Sequence, residues 1–280
     1  MVCRGSSCLF GYPMPLDTTC MTFKQNQWVF CTGMFVAGLT FCSVLYVIAY
    51  FALKPWLTRR GLKPIDVEDA AIRVVSVVHA LWVALPFTYA LATESLPTTF
   101  TSHFPCATFV ISASLGYFAF DTVALLHYSH CKGKSWKADA SMFVHHFFAA
   151  GGEWMTLVRH VGGNLVAALM LSEYTTPMLH LLYVLERASY LGDNLLTKLM
   201  CAMFIILWIV FRIGVSAYFV VYLVKHWSDF VLLSLSNRVL YISVTIFFNC
   251  INLFWFYKIL QKGARMASKT PRNAAAKKAD

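Results

Sequence analysis

Apolar positions along this chain fall into long unbroken runs, separated by short charged or turn-forming segments. They show neither the alternation of half-buried strands nor the one-sided stripes of helices on a soluble core. A run must reach roughly 20 residues to cross a bilayer as a helix. Seven stretches qualify: Trp28–Leu53, Ala70–Ala92, Cys106–Tyr128, Ala140–Val158, His160–Glu186, Leu199–Val224 and Arg238–Leu260. The fourth and fifth are the least apolar, because glycines and polar residues interrupt them. The pattern predicts an all-α polytopic membrane protein of about seven transmembrane helices.

Composition agrees. Of 280 residues, 59% are hydrophobic and 13% charged, where a soluble domain carries about 25% charged residues. Basic residues then set the orientation. With the N-terminus extracytosolic, sixteen of the 23 basic residues fall on the cytosolic side and five on the other. Arg73 and Arg212 remain within spans. The net charge of +10 is thereby explained by topology and by a basic tail near anionic headgroups, and no nucleic-acid partner is expected. The first 27 residues lack the basic start and apolar core of a cleavable signal, so the first span is expected to act as an uncleaved anchor.

Nine cysteines without a CxxC spacing give no metal or redox motif. Cys3, Cys8 and Cys20 lie on the oxidising side, where one disulfide can form without an assignable pairing. The tail ends in "KKAD", and Lys277–Lys278 resemble a dilysine retrieval signal read by coat proteins in the cytosol.

Ionisable residues inside spans are costly and so become functional candidates. His145 and His146, in "MFVHHFFAAGGEW", lie five or six residues from the cytosolic end of the fourth span, roughly 8–9 Å deep at about 1.5 Å per residue. Asp121, in "SLGYFAFDTVALLHY", lies about 10 Å deep on the third. Glu153, Glu173 and Arg212 fall near the midplane, and Arg212 is expected to neutralise one of the two glutamates. Arg73, Ser76 and His79 recur at three-residue spacing on one face of the second span. These levels predict a polar cavity open to the cytosolic leaflet.

Adjacent helical residues point about 100° apart, so one histidine aims into that cavity. Small residues at Ala149 and Gly152 continue the face of His145 and favour it. A neutral imidazole is a base or nucleophile near pH 7, more so when a carboxylate, here Asp121 or Glu173, fixes its other nitrogen. Arg73, His79, Tyr117, His180, Arg212 and Asn249 are candidates to bind substrate. The competing reading makes the whole set interhelical glue. The run "AAGG" at 149–152 is expected to permit close helix approach.

The stretches "IRVVSVVHALW", "LGYFAFDTVALL", "FVHHFFAAGG", "LMLSEYTTPMLHLLY", "FRIG" and "NLFWFYKIL" resemble, in order, the TLC-domain family. That family contains the ceramide synthases, the translocating-chain-associated membrane proteins and a lipofuscinosis-related endoplasmic reticulum protein. The resemblance covers roughly residues 66–262. It implies six core helices around a lipid-accessible cavity, preceded by one extra helix at 28–53 and an extracytosolic segment at 1–27, with a cytosolic basic tail at 263–280. In the synthase branch the paired histidines, here His145 and His146, are required for acyl transfer from acyl-CoA. The synthase signature also carries a His-Asp pair and a second Asp downstream. This chain has "LSEYTTP" there, with Glu173 the nearby carboxylate and Thr176 at the place of the second Asp. The resemblance is thus closer to the branch linked to membrane phospholipid composition.

Three functions are expected to compete. One is an endoplasmic reticulum acyltransferase using acyl-CoA as co-substrate and no tightly bound cofactor. Another is a non-catalytic lipid-binding protein that regulates lipid homeostasis or trafficking. The third is metal-dependent lipid oxidation, which "HYSH" and the histidine pair raise but which wants about eight histidines on one side.

Overall fold

The computed structural model describes residues 20–93, 100, 105–133, 140–192 and 194–276. The Lys277–Lys278 tail, Cys3, Cys8 and the side chain of Cys20 lie outside the described residues. The described chain is helical throughout: α1 (Cys20–Arg59), α2 (Pro64–Ala92), α3 (Pro105–Cys131), α4 (Ala140–Arg159), α5 (Gly163–Leu171), α6 (Thr176–Arg187), α7 (Leu195–Trp208), α8 (Val215–Lys225), α9 (Trp227–Phe230) and α10 (Leu235–Ala276). Hydrocarbon offers the backbone no partners, so an apolar run satisfies its own N–H and C=O groups as a helix.

Six helical segments are long and apolar enough to cross a membrane: 27–59, 64–90, 108–131, 163–187, 195–225 and 235–265. The protein is a multi-pass membrane protein. The expected fourth span is present as α4, 20 residues long, but His145, His146, Gly151, Gly152 and Glu153 keep it out of that six.

Two of the six spans are not plain α-helices. Between α5 and α6 the chain tightens into a 3₁₀ turn, Ser172–Thr175, and Pro177 follows in the first turn of α6, where its missing N–H costs nothing. Between α7 and α8 it widens into a π turn, Ile209–Gly214. The fifth span begins at Gly163, not at His160. His160 and Gly162 adopt left-handed backbone (φ 51° and 82°) and reverse the chain between α4 and α5. Asn194 caps α7, its side chain accepting from the Thr197 N–H at 2.9 Å.

One end of the bundle is basic and cross-linked by charge. Lys132 Nζ lies 2.6 Å from Asp66, Arg187 Nη1 lies 3.8 Å from the same carboxylate, and Lys262 Nζ lies 2.5 Å from Glu186. Tyr190 stacks on Trp56 and accepts from Arg60. The opposite end is aromatic: Phe100 packs edge-on against Tyr222, Phe230 and Tyr241.

Helices α1 and α3 approach closely at two glycines. A Cβ on Gly38 would overlap the Ala113 carbonyl, and one on Gly116 the Phe35 carbonyl. At the two glycines of the 149–152 run the approach is looser. A Cβ on Gly152 would make ordinary contact with Val244 at 3.6 Å, and one on Gly151 would meet nothing within 4 Å among the described residues.

Candidate functional site

The polar residues of the interior resolve into four groups. The first joins α3 to α4 near the basic end. His146 Nε2 lies 3.3 Å from Asp121 Oδ2, and its Nδ1 lies 3.4 Å from Thr122 Oγ1. Both partners of His146 thus come from consecutive residues of α3. His145 turns the other way, toward α10, with its ring 5.4 Å from Phe248 and 5.2 Å from Trp255. The two imidazole centroids are 5.7 Å apart, and both rings are buried, at 8% and 5% exposure. His145 Nδ1 is buried without a hydrogen-bond partner among the described residues.

This geometry corrects the expected pairing. Depth places Asp121 beside the histidines, but the carboxylate faces His146. His146 bonds the neighbouring helix α3, and His145 faces α10. Among the described residues Glu173 meets Arg212 and Thr176 and no histidine.

The second group lies deeper. His79 stacks on Tyr117 at 3.6 Å between centroids, and Tyr117 donates to Ser76 Oγ at 3.1 Å. Ser114 donates to Glu153 Oε1 at 2.7 Å and lies 2.9 Å from His79 Nε2. A hydroxyl has one proton, so with it spent on Glu153 the His79 nitrogen must be the N–H that donates to Ser114. The relay runs His79 to Ser114 to Glu153. Glu153 is 1% exposed, and its Oε2 has no partner among the described residues. Phe118 joins this group to the first, 5.7 Å from the His79 ring and 5.4 Å from the His146 ring.

The third group is built around Arg212, which the π turn presents inward. Nη2 lies 3.4 Å from Glu173 Oε1, Nε donates to Thr175 Oγ1 at 3.0 Å, and Nη1 reaches Asn252 Oδ1 at 3.5 Å. Thr176 donates to the other Glu173 oxygen at 2.6 Å. Of the two glutamates, Glu173 is therefore the one Arg212 neutralises. Asn249, expected to bind substrate, instead donates to the Thr245 carbonyl of its own helix at 2.8 Å. The buried asparagine of α10 is Asn252, one turn on.

The fourth group sits nearest the basic end, between α2 and α6. Arg73 pairs with Asp69 at 3.2 Å, donates to His180 Nδ1 at 3.0 Å and covers the Tyr183 ring at 3.5 Å. Tyr183 donates to Asp69 Oδ2 at 2.7 Å.

Ser114, Asn252, Thr175 and Trp208 were not visible as site residues in sequence. A serine in an apolar run carries no signal by itself. Its spacing of seven from Asp121, matching that of Glu153 from His146, is the signal that finds it.

A cavity of about 300 Å³ opens toward the aromatic end, away from the histidine pair. It is bounded by α1, α3 and α4 through Trp28, Phe35, Ser112, Trp154 and Leu157.

Comparison with known families gives a match to the model described as TLC domain, over residues 69–261. No curated protein matches the chain.

Proposed function

Since the chain belongs to the TLC-domain family, we propose that it transfers acyl groups from acyl-CoA to a membrane lipid, with the His145–His146 pair and Asp121 as its chemical centre. The observation that carries this reading is the 3.3 Å contact of His146 with Asp121 beside a second buried imidazole whose Nδ1 has no partner among the described residues. Buried polar atoms are almost always satisfied, and the exceptions gather where a ligand or reacting group belongs.

In the reaction, Asp121 and Thr122 orient His146. His145 offers its lone pair either to the thioester carbonyl carbon or to the proton of the acceptor hydroxyl. On either route the C–S bond breaks, the CoA thiolate leaves, and the acceptor proton ends on that thiolate by way of an imidazole. The acyl chain lies in hydrocarbon and the CoA moiety in water at the basic end, taken as cytosolic from the charge count. The endoplasmic reticulum location rests on the Lys277–Lys278 tail. Glu173 and Arg212 hold the fold around the centre. Arg73 and His180 toward the basic end, and His79 and Tyr117 deeper, contact the substrate in this reading.

The test is acyl transfer by purified protein in nanodiscs, supplied with labelled palmitoyl-CoA and a lipid extract as acceptor. Wild-type protein should label a lipid and His145→Ala should not, with both expressing equally. Full activity in the variant overturns the role.

One observation supports a second reading, a lipid-binding protein that regulates membrane composition without turnover. The cavity between α1, α3 and α4 lies apart from the histidines, as a pure binding site would. Under that reading a lipid co-purifies and exchanges unchanged, and no acyl adduct forms on a histidine.

A further inference from the structure

Two orphaned polar atoms belong to rings that contact the same indole, Trp255. His145 Nδ1 and Trp208 Nε1 are both buried, and neither has a hydrogen-bond partner among the described residues. Both rings contact Trp255, at centroid distances of 5.2 Å for His145 and 6.4 Å for Trp208. Trp208 is among the largest fully enclosed side chains, at 2% exposure. An indole N–H is a donor only, and a buried tryptophan normally finds an acceptor for it. Its absence here has a cost comparable to a lost hydrogen bond.

The backbone marks the same place. Trp208 is the last residue of α7 before the π turn Ile209–Gly214. Such turns insert an extra residue into a helix and concentrate at functional sites. Here the turn sends Arg212 inward, with its guanidinium carbon 5.1 Å from the Trp208 ring. Arg212 is taken up by Glu173, Thr175 and Asn252. Trp208 is left with a donor unpaired among the described residues, where apolar packing alone would have been served by phenylalanine or leucine.

We propose that Trp208 is a positioning residue: its Nε1–H donates to the carbonyl oxygen of a bound fatty acyl group, and holds the carbonyl carbon toward His145. The ligand class is an acyl thioester or another chain with a carbonyl at its polar end, as opposed to a bare alkyl chain, alcohol or ether. This deepens the acyl-transfer reading and rests on the same histidine. Recognition of the carbonyl needs no turnover, so the two can fail separately.

The test uses two palmitoyl-CoA analogues that cannot transfer an acyl group: S-(2-oxoheptadecyl)-CoA, a ketone, and S-heptadecyl-CoA, which lacks the carbonyl. Binding to the full chain in nanodiscs is compared for wild type, Trp208→Phe, and a form with β-(3-benzothienyl)alanine at 208. The last keeps the bicyclic shape and lacks only the N–H, which covers the case in which Trp208→Phe does not fold. Wild type should prefer the ketone by about tenfold, the worth of one hydrogen bond. Both variants should bring that preference within about twofold. With a ¹³C-labelled ketone, the carbonyl stretch should lie lower in wild type and rise in the variants, a change that loosened packing alone would not produce.

Equal binding of the two analogues by wild type, or an unchanged preference and carbonyl stretch in both variants, overturns the proposal. A Trp208-dependent preference in a protein that acylates no acceptor supports it while removing the acyltransferase reading. Acyl transfer by a protein that shows no such preference does the reverse.

Discussion

His146 and Glu153 are seven residues apart on α4, and the α3 residues that they meet, Asp121 and Ser114, are seven apart as well. Seven residues are close to two helical turns, or about 10.5 Å. The two helices are therefore joined by two polar rungs at matching heights, one near the basic end and one near the middle of the bundle. The outer rung has two imidazoles beside it. The inner rung has a carboxylate with no ion-pair partner among the described residues, Arg212 being engaged with Glu173.

That inner rung makes Ser114 a stability determinant. Ser114→Ala removes a donor from a buried carboxylate and an acceptor from His79 together. Each orphaned group costs about 1–3 kcal/mol, so the melting temperature in detergent should fall by several degrees, at about 2–4 °C per kcal/mol for chains approaching this length. Adding Glu153→Leu should recover part of the loss, because the carboxylate that lacked a partner is gone. Additive losses in the double variant would contradict the rung.

Arg212 and Glu173 predict the same pattern at larger amplitude. Breaking a buried pair from one side strands a charge, at about 3–5 kcal/mol, while replacing both partners by apolar groups can be nearly neutral. Arg212→Leu should therefore destabilise more than Arg212→Leu combined with Glu173→Leu. Thermal unfolding of the three forms checks this. A single variant as stable as wild type would show that the pair carries no structural load.

Much of this was legible in sequence. The apolar runs placed the spans, since hydrocarbon solvent leaves helices as the available solution. Depth along each run placed Asp121 level with the histidine pair. What the runs did not encode is rotation about each helix axis. His145 and His146 differ by about 100°, and which of them meets Asp121 depends on how α3 and α10 flank α4. For the same reason Asn252, one turn beyond Asn249, is the α10 asparagine that meets Arg212, on a face set by its neighbours. The π turn at Ile209–Gly214 has no compositional signature in "IVFRIG". Glycine patterning carried only part of the packing. The run at 149–152 reads as a helix–helix seam, and a tighter seam lies at Gly38 and Gly116, single glycines on separate spans.

That seam gives a third prediction with an internal control. At Gly116 and Gly38 a side chain has no room, because the obstacle is backbone and cannot rotate away. Gly116→Leu should therefore lower the melting temperature markedly and release α1 to limited proteolysis. Gly33 lies on the same helix with nothing within 4 Å of its would-be Cβ among the described residues. Gly33→Ala should be neutral or stabilising by up to about 1 kcal/mol, the helix propensity difference. Equal tolerance at Gly33 and Gly116 would mean that α1 does not dock against α3 as described.

The outer rung supplies the sharpest functional expectation. Asp121→Asn keeps the size and shape of the side chain and removes its charge. An amide can still contact His146 Nε2, but it no longer favours the imidazolium that forms when a proton is taken up. Positioned acid–base groups contribute about 10²–10⁴-fold, so acyl transfer should fall by about a hundredfold or more in Asp121→Asn. Its melting temperature should stay near that of wild type, because no buried charge is stranded. Thr122→Val, which removes only the 3.4 Å contact to Nδ1, should cost much less. The two effects separate chemistry from packing: if His146 merely glued α4 to α3, both variants would change stability and neither would change the rate per folded molecule. Initial rates normalised to the folded fraction decide between these outcomes, and an unaltered rate in Asp121→Asn would reduce the His146–Asp121 contact to a structural one.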